Sequence, residues 1–178
     1  MVKIAIFGGS FDPPHFGHKK IIDKALEILD IDRVIVVPTY LNPFKSSSSA
    51  TADNRFIWAK KVFDNDRVTI SDFEIKQNRV VYTSQTVEYF KMFYNVKFVI
   101  IGADNLASLN KWYNFEYLNS SITWVIASRD SIKIDTTLLK RWVRLDVEAD
   151  ISSSFIRENL NFDGVDSKIK DDIKKVYN

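Results

Sequence analysis

The stretch KIAIFGGSFDPPHFGHKKIIDKALEIL, Lys3–Leu29, contains the features that decide the fold of this chain. Its first part, Lys3–Phe7, is a short apolar run typical of a buried strand, and its last part, Lys19–Leu29, repeats apolar residues at helical spacing. Between them lies GGSFDPPHFGH, Gly8–His18, which holds both histidines of the chain. The stretch therefore predicts a strand-to-helix crossing. Open α/β sheets bind ligands at the carboxyl ends of their strands, and helix N-termini attract anions, so we expect a phosphate there.

The composition is that of an ordinary folded domain. A length of 178 residues predicts one domain, residues 1–178, able to bury roughly 70 % of its unfolded surface. The absence of cysteine excludes disulfides, thiolate zinc sites and cysteine nucleophiles. The 25 basic and 23 acidic residues leave a net charge of +2, too balanced to indicate a nucleic-acid or membrane surface. We therefore expect a small anionic ligand and no nucleic acid.

The hydrophobic runs do not indicate a targeting or membrane segment. The apolar run at the N-terminus is too short for the core of a signal peptide. No window approaches the ~20 apolar residues of a membrane span. The lack of cysteine also fits a reducing compartment, and we expect a cytoplasmic protein with no membrane partner.

Strand-like and helix-like runs alternate along the chain. After the first strand, apolar runs predict strands at Arg33–Pro38, Arg67–Ser71, Val96–Gly102 and Thr123–Ser128. Helical spacing recurs at Arg55–Phe63, Thr83–Phe93, Leu106–Tyr117, Phe155–Leu160 and Ile169–Val176. This alternation favours a parallel sheet covered on both faces. The predicted fold class is α/β: a single Rossmann-like doubly wound domain with a mainly parallel sheet.

Three polar loops are predicted at the carboxyl edge of this sheet: GGSFDPPHFGH after the first strand, PTYLNPFK after the second and GADN after the fourth. Neither a GxxxxGK[ST] phosphate loop nor a GxGxxG fingerprint follows the first strand, which disfavours a kinase or an ordinary dehydrogenase. The serine-rich stretch Ser46–Asn54 is predicted to be a mobile surface loop.

The histidine loop resembles a known family signature. His15–His18 matches H-x-G-H, and the preceding GGSFDPP, Gly8–Pro14, is similar to the nicotinate mononucleotide adenylyltransferase branch of the H-x-G-H nucleotidyltransferases. A second family motif, I-S-S-S-x-I-R, is matched by Ile151–Arg157. The resemblance covers nearly the whole chain, although Phe44 stands where the family often has a histidine.

Two weaker matches lie between these motifs. Gly102-Ala103-Asp104, followed by Leu109 and Trp112, resembles the family's G-x-D with a later aromatic residue. Thr83 and Thr86 resemble its T-x-x-T helix start. From the residues alone, Trp112 also fits a core position, because Leu106, Leu109 and Tyr113 share its predicted helical face. The resemblance instead implies that the indole lies against a pyridine ring.

The resemblance implies transfer of the adenylyl group of ATP to nicotinate mononucleotide, giving deamido-NAD and pyrophosphate in NAD biosynthesis, with Mg²⁺ accompanying ATP. It implies catalytic roles for His15, His18 and Arg157, and no dedicated metal ligand. The residues that it implies for ATP binding are Phe7, Gly8, Gly9, Ser10, His15, His18, Gly102, Asp104, Ser153, Ser154 and Arg157. Those that it implies for acceptor binding are Ser10, Phe11, Lys45, Thr83, Thr86, Trp112 and Tyr113.

The chemistry of such a transfer agrees with these residue types. The attacking phosphate is already largely ionised at neutral pH, since its second pKa is ~6, so no general base is required. The protein must align the phosphates and stabilise charge on the α-phosphate and the leaving pyrophosphate. Histidine N–H donors, an arginine fork and a mobile lysine suit this task. A magnesium ion would be held mostly by substrate and water.

Other interpretations stay open at the level of sequence. The histidines could be helix caps or core residues, Asp12 could tie its own turn, and Asp12, His15 and His18 could form a poor zinc site. Ser152–Ser154 could be a plain helix cap and Arg157 a solvated charge. The chain could also be a sibling transferase with another phosphorylated acceptor, or a nucleotide-sensing module without catalysis.

Selection of nicotinate over nicotinamide would require hydrogen-bond donors that bind the carboxylate of nicotinate. No arginine stands beside Trp112 in the sequence. We therefore expect backbone N–H groups near Lys111–Tyr113 and Thr83–Gln85 to bind the carboxylate, which an amide would satisfy less well.

Overall fold

The computed structural model describes residues 1–128, 133–148 and 151–177. Its centre is a six-stranded sheet formed by β1 (Lys3–Gly9), β2 (Arg33–Pro38), β3 (Val68–Ile70), β4 (Asn95–Gly102), β5 (Thr123–Ser128) and β6 (Trp142–Asp146). The strands lie in the order β3-β2-β1-β4-β5-β6, and each neighbouring pair is parallel. This is the strand order of doubly wound dinucleotide-binding folds, so the predicted fold class is confirmed.

Helices cover both faces of the sheet. They are α1 (Phe16–Ile28), α2 (Ala52–Val62), α3 (Phe73–Lys76), α4 (Thr83–Lys91), a 3₁₀ helix (Ala103–Lys111), α5 (Phe115–Ser121), α6 (Ser153–Asn159) and α7 (Ser167–Tyr177). None of the described helices has the length and apolar character needed to cross a membrane.

The sheet separates two hydrophobic cores. On one face, β1 and β2 present Ala5 and Val34 to α1, α2, α6 and α7. On the other face, Ile6 and Ile35 pack with residues of α4, α5 and the 3₁₀ helix. Successive strand residues point to opposite faces, so a strand between two helical layers must be apolar at every position. This is why the runs KIAIF and RVIVVP read as continuous apolar strands.

The crevice for a ligand lies where the chain reverses its direction of travel across the sheet. From β1 the chain proceeds to β2 and β3 on one side, and it returns through β4 to β6 on the other. The loops that leave β1 and β4 therefore diverge, which opens the sheet edge at their carboxyl ends. Phe7 of β1 pairs with Ile100 of β4 just before this opening.

The predicted helix Leu106–Tyr117 is wrong as a single element. The 3₁₀ helix ends at Lys111, Trp112 has an extended backbone, and Asn114 takes a left-handed φ of 57° before α5 begins. Asparagine tolerates this conformation better than most residues. The break places Trp112 and Tyr113 at the mouth of the crevice rather than along one helical face.

Two further elements were not predicted, and one prediction was too simple. β6 is an edge strand in which only Leu145 is fully buried. α3 spans only four residues. Neither element therefore has a clear hydrophobic period in the sequence. The stretch Ser46–Asn54 is not a loop throughout: Thr51 caps α2 through a bond from the Asn54 N–H, and Ala50 is 2 % exposed.

Candidate active site

His15 and His18 form the N-terminal cap of α1. The Gly17 N–H donates to His15 Nδ1 at 3.1 Å, and the His15 backbone N–H donates to His18 Nδ1 at 3.2 Å. The two rings stack with centroids 3.7 Å apart. Because each Nδ1 is an acceptor, the proton of each neutral imidazole lies on Nε2. Each ring therefore takes part in the helix cap through Nδ1 and keeps an Nε2–H donor.

Burial keeps both imidazoles neutral. It lowers the pKa of His15 to about 4. The pKa of His18 lies well below its ordinary value of 6.5, because the ring is desolvated and, secondarily, because His15 stands beside it. Phe7, Phe11 and Phe63 surround His18, with ring centroids 5.0 to 6.5 Å away. The pair therefore offers donors without a fixed positive charge.

Asp12 ties the histidine turn to two distant segments. Its carboxylate accepts the backbone N–H groups of Ser49 at 2.8 Å and Ala50 at 3.1 Å. The Tyr177 hydroxyl donates to Asp12 Oδ1 at 2.5 Å. The partners of the buried Asp12 carboxylate are thus distant segments rather than its own turn, and Asp12, His15 and His18 are not grouped as metal ligands would be. Asp12 joins the turn after β1 to the start of α2 and the end of α7.

The start of α6 is pinned to the same turn. The Ser153 hydroxyl donates to the Pro13 carbonyl at 2.9 Å, and Arg157 Nη1 donates to the Asp12 carbonyl. Arg157 Nη2 lies 3.5 Å from Ser154 Oγ, while Ser152 caps the helix by accepting the Phe155 N–H. The Ser153 hydroxyl thus has a structural partner, and Ser153 also lines the cavity at the carboxyl edge of the sheet. Arg157 and Ser154 face the opening.

Arg55 binds the loops that precede the site from a fully buried position. Its guanidinium donates to the carbonyls of Ser10 at 2.6 Å, Thr39 at 2.8 Å and Tyr40 at 2.9 Å. A fourth bond reaches Ala50 at 3.3 Å. These carbonyls belong to the loops after β1 and β2, so one side chain holds both loops together.

A cavity of about 1010 Å³ lies at the carboxyl edge of the sheet. Every predicted site residue except Thr86 lines it. We name the two ends of the cavity after the groups that the sequence leads us to expect there. The phosphate end is the region of Gly8, Gly9, His15, His18, Ser154 and Arg157, and the acceptor end is the region of Glu74, Tyr82, Thr83, Trp112 and Tyr113. Lys45 lies in the loop after β2, where its backbone N–H donates to Asn42.

Gly9 and Gly102 lie at the switch point of the sheet, where a side chain would come too close to neighbouring atoms. A Cβ on Gly9 would lie 3.1 Å from the Phe11 ring, tighter than ordinary contacts. A Cβ on Gly102 would lie 2.4 Å from Asp104 Oδ1. Asn105 Nδ2 donates to the Gly102 carbonyl at 3.2 Å and to Asp104 Oδ1 at 3.3 Å, so the G-x-D loop is internally bonded.

The acceptor end is an aromatic corner beside a helix start. Tyr82 and Tyr113 stack with ring centroids 4.7 Å apart. Trp112 packs edge-on against the buried Trp124 at 6.1 Å, and its Nε1 has no hydrogen-bond partner among the described residues. The first turn of α4 leaves N–H groups without intrahelical acceptors, and these include Thr83. The corner therefore offers flat apolar surface next to donors.

Thr86 lies behind the cavity wall rather than in it. Its buried hydroxyl donates to Glu74 Oε1 at 2.6 Å. Glu74 lines the cavity in its place, and burial raises the pKa of this carboxyl to about 7. The two threonines of the T-x-x-T match thus have different positions. Thr83 lines the cavity, whereas Thr86 binds the carboxyl of Glu74, a residue that the sequence analysis did not single out.

Three residues with a place in the site were missed by sequence reasoning: Tyr82, Glu74 and Tyr177, the partner of the Asp12 carboxylate. Tyr82 adjoins the T-x-x-T match and could have been included on that ground. The tertiary contacts of Glu74 and Tyr177 have no local signal. No three His, Asp or Glu side chains in residues 1–128, 133–148 and 151–177 cluster as metal ligands would.

Comparison with known proteins gives three findings. The profile of the cytidylyltransferase-like family matches residues 6–159. A Sulfurovum sp. protein named "Probable nicotinate-nucleotide adenylyltransferase" is 49 % identical over 174 residues, 97 % of this chain and 93 % of the relative. A Campylobacter jejuni protein of the same name is 48 % identical over 179 residues, 99 % of this chain and 97 % of the relative.

A solved structure shares the fold. The Plasmodium falciparum nicotinic acid mononucleotide adenylyltransferase complexed with NaAD superposes with a TM-score of 0.77. The alignment covers 98 % of this chain and 90 % of that chain, at 22 % identity.

Proposed function

The chain belongs to the cytidylyltransferase-like family, and we propose from this premise that it transfers the adenylyl group of ATP to nicotinate mononucleotide. The products are deamido-NAD and pyrophosphate, a step of NAD biosynthesis. The observation that carries the proposal is one cavity that joins the H-x-G-H turn at its phosphate end to the aromatic corner with Trp112 at its acceptor end.

The reaction replaces one phosphorus–oxygen bond by another. A phosphate oxygen of the mononucleotide attacks the α-phosphorus of ATP, and the bond from the α-phosphorus to the bridging oxygen of pyrophosphate breaks. The attacking oxygen is ionised at neutral pH, since a monoester's second pKa is ~6. The side chains therefore position phosphates and stabilise charge, and none has to remove a proton.

His15 and His18 supply the donors at the centre of the reaction. Their Nε2–H groups bind oxygens of the α-phosphate and of the leaving pyrophosphate, while Nδ1 of each ring remains bonded to backbone. A donor already held in place costs little reorganisation as charge develops. The anionic phosphates also raise the pKa of both imidazoles. A protonated ring donates a stronger hydrogen bond to a phosphate oxygen.

Arg157 binds the pyrophosphate from the other side of the turn. Its guanidinium is a planar fork that can hold two phosphate oxygens, and its contacts with Asp12 and Ser154 orient it toward the opening. Ser154 adds an exposed hydroxyl, and Lys45 a mobile positive charge. Backbone of Phe7–Ser10 approaches the phosphates, and Gly102 and Asp104 line the nucleoside end of the ATP site across the switch point.

The acceptor lies against the aromatic corner. Trp112 stacks on the pyridine ring, with Tyr113 and Tyr82 beside it, and Ser10 and Phe11 face the phosphate side of the mononucleotide. The nicotinate carboxylate binds N–H groups at the start of α4, where the helix dipole favours an anion. A carboxamide leaves buried donors unpaired there, which predicts a preference of ~10²-fold or more for nicotinate.

Magnesium enters the proposal with ATP. Mg²⁺ prefers water and phosphate oxygens as ligands, so the ion would be held mostly by ATP and water rather than by protein side chains. Bound there, it would neutralise charge on the phosphates. We propose in addition that residues 1–178 act as one nucleotidyltransferase domain, that the enzyme works in the cytoplasm, and that no nucleic acid takes part.

A matched substrate panel tests the function. Purified protein with Mg²⁺ is given ATP or CTP and nicotinate mononucleotide, nicotinamide mononucleotide or phosphopantetheine, and pyrophosphate release is followed. We expect the highest kcat/KM with ATP and nicotinate mononucleotide. A higher value with another acceptor or with CTP would assign a sibling transferase, and the absence of turnover with every pair would leave a nucleotide-sensing module.

A further inference from the structure

Three buried polar atoms of the cavity wall have no hydrogen-bond partner among the described residues: Thr39 Oγ1, Glu74 Oε2 and Trp112 Nε1. Buried polar atoms are almost always paired in folded proteins, so an unpaired atom on a residue that lines a cavity is a candidate contact for a ligand. Of the three groups, only the Glu74 carboxyl can change its charge near neutral pH.

Glu74 is held against the acceptor end of the cavity. It is 4 % exposed and lines the cavity together with Val81, Tyr82 and Thr83, the residues that lead into α4. Its Oε1 accepts the hydroxyl of Thr86 from the first turns of α4, which leaves Oε2 as the free oxygen. The carboxyl is thus fixed next to the helix start that is proposed to bind the carboxylate of the acceptor.

We propose that Glu74 is a specificity-determining residue: in its neutral form it favours a nicotinate acceptor, and in its ionised form it shifts the preference toward nicotinamide. This inference rests on the proposed function. The neutral carboxyl can donate a hydrogen bond to the nicotinate carboxylate, whereas the ionised carboxyl repels it and can accept from a carboxamide N–H.

The position of Glu74 makes this change of state accessible. Burial raises the pKa of Glu74 to about 7, and the hydrogen bond from Thr86 partly opposes the rise. The charged groups on the elements packed around it do not add to these two causes; they are Arg33 on β2, Lys76 on α3, and Glu88 and Lys91 on α4. The other charged side chains of the cavity wall do not contribute either; they are Asp12, Lys45, Asp104, Lys111 and Arg157.

The two acceptors must therefore respond differently to pH. Binding of a second carboxylate in the same pocket raises the pKa of the first by about one unit or more, and one unit corresponds to tenfold in affinity. A neutral carboxamide exerts no such effect. The phosphate of the acceptor, the ATP phosphates and both histidines titrate equally in the two reactions, so their effects cancel in the ratio of the two kcat/KM values.

The experiment measures this ratio, nicotinate mononucleotide over nicotinamide mononucleotide, from about pH 6 to about pH 8.5. In the wild type we expect it to fall about tenfold as the pH rises. Glu74→Gln keeps the size and an acceptor for Thr86 but cannot ionise, so its ratio should stay at the low-pH value throughout. Glu88→Gln removes an exposed carboxylate from α4 and should follow the wild type.

Each result bears on the proposal separately from the proposed function. A wild-type ratio that does not change with pH overturns the role of Glu74, and this result does not depend on whether Glu74→Gln folds. A ratio that falls with pH in Glu74→Gln as it does in the wild type also overturns that role. Lack of turnover and of binding by both mononucleotides, checked by tryptophan fluorescence, would overturn the proposed function and this inference with it.

Discussion

At the scale of single residues, the proposed chemistry depends on where protons lie. His18 Nδ1 accepts the His15 N–H, so Nε2 carries the hydrogen that is proposed to bind a phosphate oxygen. A glutamine amide can place an N–H near the position of Nε2, whereas asparagine reaches only to that of Nδ1. The donor and the capping functions of this side chain can therefore be separated by substitution.

We expect His18→Ala and His18→Asn to lower kcat by ~10²-fold or more, by loss of a donor to charge that develops in the transition state. His18→Gln should retain clearly more activity than His18→Asn. Steady-state kinetics measures this, with circular dichroism to verify folding. Wild-type turnover in His18→Ala would remove this residue from the reaction.

Arg157 is expected to act through its fork. One guanidinium nitrogen binds the Asp12 carbonyl and another approaches Ser154, so the group is oriented before a phosphate arrives. Arg157→Lys keeps the charge but loses bidentate geometry, and it should raise the KM for ATP nearly as much as Arg157→Ala does. Normal ATP kinetics in either variant would contradict this assignment. Arg79→Lys, outside the cavity wall, serves as the control.

Glu74 also makes stability depend on pH. Its pKa is raised from an ordinary 4.5 to about 7, so the folded state holds the proton more tightly than the unfolded chain does. The resulting stabilisation is complete below pH 4.5 and is lost as the pH rises through 7. Glu74→Gln has no such loss and should be more stable than the wild type by about 3 kcal/mol at pH 8, but by less than about 1 kcal/mol at pH 5. Urea unfolding at both pH values tests this, and a constant difference between the two proteins would argue against it.

At the scale of elements, the turn after β1 is held by helices that lie far away in sequence. α6 binds it through Ser153 and Arg157, and α7 binds it through Tyr177. A turn that must present donors within tenths of an ångström needs such support, because binding geometry on an isolated loop is poorly defined. The C-terminal helix is therefore part of the site although it does not line the cavity.

Tyr177→Phe tests the anchor from α7. It removes the hydroxyl that donates to the buried Asp12 carboxylate but keeps the ring contact with Trp58. We expect a loss of about 1.5–3 kcal/mol in the free energy of unfolding, typical of a hydrogen bond to a charged group. Tyr94→Phe, which removes a hydroxyl from the opposite face of the sheet, is the control. Equal effects of the two substitutions would contradict a specific role for the anchor.

At the scale of the whole molecule, the two ends of the cavity come from different parts of the chain. The phosphate end is built from the turn after β1 and the start of α6, and the acceptor end from α3, the start of α4 and the break before α5. Because the ends are separate, a substitution at one should affect one substrate and spare the other.

Trp112→Ala is the corresponding experiment. Loss of an aromatic stack costs about 1 kcal/mol beyond the lost area, so we expect the KM for either pyridine mononucleotide to rise about fivefold or more while the KM for ATP is unchanged. Trp142→Ala, on the exposed edge strand β6, should leave both values as in the wild type. An unchanged acceptor KM in Trp112→Ala would indicate that Trp112 is a core residue that does not contact the acceptor.

The sequence by itself determined the fold class and the phosphate end. Continuous apolar runs such as Lys3–Phe7 and Arg33–Pro38 leave few alternatives to a buried parallel strand. The H-x-G-H turn and the serine-rich motif before Arg157 are local, and the roles predicted for His15, His18 and Arg157 stay predictions that the variants above can test. Such information is local because one strand or one turn carries it within a few residues.

Only the tertiary structure decided the rest. Ser153 turns to Pro13, Thr86 supports Glu74, and Asp12 meets Tyr177, from opposite ends of the chain. The break at Asn114 separates a predicted helix into two and presents Trp112 to the cavity. These features depend on contacts between residues far apart in sequence and on burial. Helical or strand periodicity indicates which face of an element is apolar. It does not indicate which polar side chains from distant parts of the sequence form hydrogen bonds with that element.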